Sequence, residues 1–393
     1  MLNGLILFFE YAAVLFYPLG QLGRISFSTQ QINLYPYEIM LFFSLLFLFL
    51  KYRFSVLKKL HKNYLFLSIF VFLISLFIAY IIAYPLFNLW ANMVGGLYLL
   101  RITVYLLYFV YFYFHYLVNR DLKKHIRYQT FFIIGTIICS SIFQYIFYPN
   151  LRNLLYQGWD PHLYRVFSFF FEPYLAGAAI TLSLYFFYFH FFLGNNKKFL
   201  KYTILAVLFI LLMLTFSRTV YIAALITISL FFLKKRNISH IFFLLVFFVL
   251  LVIVIPKPVG VGVQLYRTFS IDTRINNMVE GIQLWAKAPI FGIGYDRIRY
   301  RKAQLKLSDT VSLSHAAAGY HSSFITILVS GGIVGLICFV FLLFQLARIS
   351  SISSFYILFL SILSVGDNAL LHPFILFLLW KLLVFEVTRL WSK

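Results

Sequence analysis

Long apolar runs separated by short polar or basic stretches recur from one end of this chain to the other. Runs of roughly 17 to 25 apolar residues are long enough to cross a bilayer as helices. The pattern predicts twelve of them, at 3–19, 36–50, 64–84, 98–117, 129–148, 172–192, 200–216, 219–233, 239–255, 322–346, 353–366 and 374–391. Several are short for a full crossing, which helix ends in the headgroup zone or a locally thinner bilayer accommodate. The apolar stretch through Ser217 and Arg218 is read as a hairpin with those residues at its tip, because a single helix of more than about thirty residues would overshoot the hydrocarbon. The expected fold is therefore all-α: one polytopic membrane domain over 1–393, with about 12 transmembrane helices. A long extracytoplasmic loop containing short helices, 256–320, is inserted between the ninth and tenth.

Composition agrees with a membrane class. Of 393 residues, 63% are apolar and 11% charged, and mean hydropathy is +0.91. An ordinary soluble domain is only about half apolar, and so few charges would not cover a soluble surface. The net charge of +22 would point to nucleic acid in a soluble protein, but here much of it is topology signal. Lys51, Arg53, Lys58, Lys59 and Lys62 fill one loop, and Arg120, Lys123, Lys124 and Arg127 the next alternate one. Lys197, Lys198 and Lys201, then Lys234, Lys235 and Arg236, then Arg348 continue the alternation. These five loops fall on one side, which the positive-inside tendency makes cytoplasmic together with both termini. Such charges sit beside anionic lipid, so membrane lipids are expected partners and nucleic acid is not. The first span lacks a basic leader and a small-residue cleavage site and reads as a retained helix. Cys139 and Cys338 lie in apolar helix sequence, implying neither a disulfide nor a reactive thiolate.

The long loop carries the candidate chemistry. It opens with a Pro- and Gly-punctuated entry, Pro256 to Gly262, and its middle, 274–287, spaces Ile275, Met278, Ile282 and Trp285 as in an amphipathic helix. Pro289 stops that helix, and Phe291 to Tyr295 make a turn. Lys257, Arg267, Arg274, Lys287, Arg297, Arg299, Arg301, Lys302 and Lys306 outnumber Asp272, Glu280, Asp296 and Asp309. Arg165 precedes the Phe169–Pro173 run, and Arg218 sits at the hairpin tip. Either snorkels to the headgroups, or several guanidinium forks converge to hold a phosphate or pyrophosphate. His321 stands where the loop meets the tenth span, with ten residues between it and Gly332. It is either a capping residue or a base for a sugar hydroxyl, with His315 a nearby competitor. Gly331, Gly332 and Gly335 allow close packing or a bend.

Acids are few: Glu10 stands inside the first span, Glu38 and Glu172 at outer helix ends and Asp367 in the last outer loop, and charges within or at the rim of a membrane helix seek partners. Glu172, before Pro173, could pair with Arg165 or shape the cavity beside it. No spacing of His, Cys or carboxylates suggests a metal, no phosphate-binding Gly-rich loop suggests ATP, and no cofactor is expected.

At these residues the chain resembles the bacterial O-antigen ligase and O-antigen polymerase superfamily of membrane glycosyltransferases. Thr215-Phe216-Ser217-Arg218-Thr219-Val220-Tyr221 resembles its Ser-Arg motif, with Ile222 where Leu is common. Arg274, Trp285 and Pro289-Ile290-Phe291-Gly292-Ile293-Gly294 resemble its large-loop signature, and His321 with Gly332 its histidine–glycine spacing. The resemblance implies a metal-independent, inverting transfer of a glycan from undecaprenyl pyrophosphate to a sugar hydroxyl at the outer face of the inner membrane. It implies that Arg218 and Arg274 hold the donor pyrophosphate and that His321 activates the acceptor. Arg165, Glu172, Arg299, Arg301 and Tyr320 are further candidates for substrate binding, and Trp285, Pro289, Gly292, Gly294 and Gly332 for the supporting structure. The expected partners are the lipid-linked oligosaccharide donor, a glycan acceptor and other polysaccharide-assembly proteins. Arg165, Phe169–Pro173 and Gly177 resemble what polymerases of lipid-linked repeat units carry, which favours polymerase over ligase. A transporter of the same lipid-linked sugar is the reading from another class, against which stands the absence of two-half symmetry.

Overall fold

The computed structural model describes residues 2–28, 30–60, 63–157, 161–190, 198–234, 236, 263, 269–305 and 318–390. Among them, helices stand at eleven of the twelve predicted spans. They are α1 (Leu2–Phe16), α2 (Pro36–Tyr52), α4 (Tyr64–Ile82), α5 (Leu89–Val118), α6 (Lys123–Phe147), α7 (Pro173–His190), α8 (Lys198–Met213), α9 (Arg218–Lys234), α12 (Ser323–Ala347), α13 (Ser351–Gly366) and α14 (Pro373–Leu390). The remaining span, 239–255, lies outside the described residues, as do the Pro256–Gly262 entry and His315. A short α3 (Ser55–Leu60) follows α2, and the large loop contributes α10 (Phe269–Trp285) and α11 (Ile298–Gln304). Among the described residues, five stretches are long and apolar enough to cross a membrane: Leu2–Leu19, Tyr64–Ile82, Leu89–Val118, Lys123–Phe147 and Ser323–Ala347. The chain is a multi-pass, helical membrane protein.

The departures from the expected pattern have local causes. α5 begins at Leu89 rather than at 98, because the Asn88 side chain caps it by accepting from the Ala91 N–H at 2.8 Å. Asn92, which breaks the apolar pattern there, donates to the Tyr84 and Phe87 carbonyls, each at 3.1 Å. Between α1 and α2 the all-α expectation fails locally. β1 (Ile25–Phe27) pairs antiparallel with β2 (Ile32–Leu34). Too small to stand alone, this hairpin is held by Gln31, whose side-chain oxygen accepts from Trp90 at 2.9 Å and from Tyr300 at 2.7 Å. α8 and α9 are two helices, as predicted, with Phe216 in the left-handed region at φ 47° in the break between them.

One helix is broken and repaired by the loop. At Gly332, φ 65° and ψ −168° interrupt α12, so the N–H groups of Ile333 and Val334 lose their partners one turn back. Pro289 and Ile290 supply replacement carbonyls at 2.9 and 3.3 Å. In return Ile293 and Gly294 donate to the vacated Val329 and Ser330 carbonyls, both at 2.9 Å. The Pro-x-x-Gly-x-Gly segment is thus inserted into the helix's own hydrogen-bond ladder. Glycine is required on both sides: a side chain at Gly332 would strike the Ile290 carbonyl, and Gly292 (φ 70°) abuts the Val329 carbonyl. Trp285 locks the turn by donating to the Pro289 carbonyl at 3.0 Å.

Candidate functional site

The candidate site gathers around the short connection between α13 and α14. Its first residue, Asp367, is 2% exposed, and its carboxylate is shared by two elements distant in sequence. One oxygen accepts from Arg274 Nη2 of α10 at 2.7 Å, and the other accepts from the Thr219 hydroxyl in the first turn of α9. Burial pushes the Asp367 carboxyl up to about 6; the Arg274 charge and the Thr219 hydrogen bond pull the other way, Glu172 adds to the rise and Arg165 opposes it. Arg274 keeps 29% of its side chain exposed. It is anchored at one edge and open at another.

Arg218 immediately precedes Thr219, at the N-terminus of α9. Its positive charge and that of Arg274 act on one another. Two guanidinium groups beside a helix N-terminus favour an anion.

His321 reaches the same place by a different route. Its backbone N–H donates to Asn277 Oδ1 at 2.9 Å, and Asn277 lies three residues after Arg274, on the same face of α10. The two residues that follow His321 are fixed to the α13–α14 end: Ser322 donates to the Ser364 carbonyl at 3.0 Å and Ser323 to Asn368 Oδ1 at 2.7 Å. Ser322 also caps α12, leaving the His321 side chain exposed at the mouth. Through α10 the structure links three separate motifs: Arg274 acts on Arg218, and Asn277, one turn further on, holds the His321 backbone.

Arg165 has a supporting position. Buried, it donates through Nε to the Thr215 carbonyl at 2.9 Å and through Nη2 to the Phe216 carbonyl at 3.1 Å. These carbonyls belong to the break between α8 and α9, so Arg165 shapes the turn that presents Ser217 and Arg218. Glu172, expected either to pair with Arg165 or to shape the cavity beside it, has an ion-pair contact with His162 at 3.8 Å. His162 in turn lies 3.5 Å from Arg165 Nη1.

The other expected binding residues point elsewhere. Arg299 is buried and bonded to Asp296 at 3.1 Å, and Arg301 donates to Gln304 at 3.0 Å. α11, which carries them, is tied to the β hairpin through Tyr300 and to the connection between α4 and α5 through Gln304 and the Leu86 carbonyl at 3.0 Å. Tyr320 is buried beneath the Lys302 ammonium, which sits 4.3 Å from its ring and 2.9 Å from Glu280. Burial near Glu280 raises the Tyr320 hydroxyl pKa, so this phenol stays neutral. The basic surplus of the loop is in part internally neutralised, which a count of charges does not reveal.

Sequence reasoning named Thr219 only as part of the Ser-Arg motif, missed Asn277 and Asn368, and placed Asp367 in an outer loop without a role. The isolation of Asp367 as the sole acid between the last two helices was the available signal. Among the described residues, no group of three or more His, Cys, Asp or Glu side chains could hold a metal ion.

A helical membrane protein with an arginine-lined mouth and an exposed histidine is the class that fold and site define together. Within it, a domain of the family described as O-antigen ligase is found over residues 203–340. That match spans α8 through most of α12 and contains Arg218, Arg274, His321 and Gly332, so the superfamily the motifs resemble is the one whose domain the chain carries. No curated protein matches the chain.

Proposed function

We propose that the chain is a glycan ligase: it transfers a glycan from a polyprenyl-pyrophosphate lipid to a sugar hydroxyl of an acceptor such as a lipid A core, at the outer face of the bacterial inner membrane. The observation that carries this reading is the single face of α10. There Arg274 is bonded to Asp367 beside Arg218, and Asn277 holds His321. A pyrophosphate accepting hydrogen bonds from the open edge of Arg274 and from Arg218 would present its sugar carbon toward His321.

In the proposed step the acceptor oxygen forms a bond to that carbon from the side opposite the pyrophosphate, and the carbon–oxygen bond to the pyrophosphate breaks. The electron pair leaves on the pyrophosphate, where Arg218 and Arg274 stabilise it. The acceptor's proton passes to the His321 imidazole, which can be neutral near pH 7 and sits at the mouth. Asp367 keeps the Arg274 fork oriented and limits its motion. In this proposal both termini lie in the cytoplasm and the mouth opens on the opposite face.

The family description supports a ligase. The expectation of a polymerase rested on the Arg165 region, where Arg165 is engaged with the Thr215 and Phe216 carbonyls. The test is purified protein with a polyprenyl-pyrophosphate-linked oligosaccharide, with and without lipid A core. Transfer of one donor glycan to the core with release of polyprenyl pyrophosphate supports the ligase. A ladder of donor joined to donor without added core would make it a polymerase. Donor binding and translocation with no glycosidic bond formed would make it a transporter.

A further inference from the structure

We infer that the large loop re-enters the bilayer: the Lys287–Gly294 turn lies at hydrocarbon depth, and the apolar ridge leading into it faces lipid acyl chains. The depth follows from where this turn is bonded. Ile290 accepts from Val334, eleven residues into α12, hence about 16 Å from the Ser323 end at 1.5 Å per residue. α12 is one of the helices long and apolar enough to cross, and the hydrocarbon is about 30 Å thick, so Val334 stands near its middle. A second helix also puts this part of α12 inside the hydrocarbon. Gly331 packs against Leu76, six residues from the Ile82 end of α4, about 9 Å in.

Irregular backbone at such depth is tolerated only when its polar groups are satisfied within the protein. The four-bond exchange with α12 does this, helped by the Gly292 N–H donating to Ala288 at 3.0 Å.

The side chains agree. Ile275, Val279 and Ile282 lie on one face of α10, each about half exposed, and Ile290 beyond the helix end is 58% exposed. The opposite side of α10 carries Gly281 against Ile325 and Tyr320, and the buried Leu284. Because α10 meets α12 at its Ser323 end and the chain then descends to Val334, the ridge runs from the interface inward, with Ile290 deepest. In water these groups would cost about 25 cal/mol for each Å² of apolar surface left uncovered; against acyl chains they cost nothing comparable. Lys287 is the one charge in the descending turn, and its four-carbon stem lets the ammonium reach the headgroups. Acyl chains cover the ridge because α12 places it at their depth, and the inference holds whichever acceptor the protein uses.

The test is nitroxide accessibility in proteoliposomes. Single labels are placed at Ile275, Val279, Ile282 or Ile290 in a chain whose Cys139 and Cys338 are replaced by Ala, with Ile337 on α12 as the lipid-facing reference. Dissolved oxygen should reach the Ile290 label while a water-soluble nickel chelate does not, as at Ile337. The oxygen-to-nickel ratio should fall in the order Ile290, Ile282, Val279, Ile275. Nickel access at Ile290 equal to that at Ile275 would overturn the inference in favour of an aqueous surface, and exclusion of both relaxants would overturn it in favour of a protein cover. Hydroxyl-radical footprinting of the unmodified protein in nanodiscs checks the same point without labels. Ile290 and Phe291 should remain unoxidised, and oxidation there would contradict the re-entry.

Discussion

The Arg274 guanidinium donates to the Asp367 carboxylate at 2.7 Å, with Asp367 almost wholly buried and Arg274 partly open. This pair joins the large loop to the membrane bundle beside Arg218, one helical turn from the Asn277 that holds the His321 backbone. Its carboxyl, raised from 3.8 to about 6 by burial, gives the site a pH dependence of definite sign. Above about 6 Asp367 is ionised and opposes an anionic donor; below it the site is one charge more positive. Donor affinity should therefore rise as pH falls through about 6, and Asp367→Asn should bind tightly throughout and lose that step. The same group stabilises the fold fully below 3.8, an effect lost as pH rises through about 6, so Asp367→Asn should also flatten thermal stability across that window. Titration of donor binding and of melting temperature in both proteins checks the two halves.

Arg274→Lys should lower kcat/KM by about 10²–10³, with the melting temperature little changed. An ammonium keeps the charge but cannot bond to Asp367 and a pyrophosphate through one planar fork. Steady-state kinetics beside a melting curve separate this from misfolding.

Gly332→Ala should destabilise the protein by about 1–3 kcal/mol through left-handed strain, and by more if the Ile290 carbonyl is forced away. Gly335→Ala is the matched control, since the nearest contacts of a new methyl there would be 3.9 and 4.0 Å. Thermal unfolding in detergent should separate the two, and limited proteolysis should cut near Pro289 only in the first.

Lys381 and Glu10, both fully buried, stand 4.0 Å apart, with Lys381 donating to Tyr108 at 3.0 Å and Gln129 at 2.9 Å. Lys381→Met alone leaves a buried acid without its counter-charge and should cost about 3–5 kcal/mol. Adding Glu10→Gln should recover most of that loss. A double-mutant cycle on melting temperatures measures the coupling.

Much of this was legible in the sequence because membrane helices announce themselves by composition and length. The separation of α8 from α9 followed from the length limit and from the alternation of the basic loops. The extra turns of α5 were hidden because Asn88 and Asn92 look like loop residues until their backbone partners are known. Arg218, Arg274 and His321 could be named from motif spacing. What joined them could not, since Asp367, Asn277 and Asn368 act through contacts with elements distant along the chain. Arg299 looked available because a charge count does not show that Asp296 bonds it. Gly292 and Gly332 were recognisable as special, but the exchange of hydrogen bonds between their segments is a tertiary fact that no local pattern encodes.

The most direct measurement is glycan transfer by His321→Ala, with donor binding followed separately. If His321 takes the acceptor's proton beside an arginine-held pyrophosphate, donor affinity should stay within about twofold of the parent while transfer falls by about 10²–10⁴. Transfer at the parental rate in His321→Ala would contradict the account, because the Arg274 face of α10 would then hold its histidine for some purpose other than chemistry.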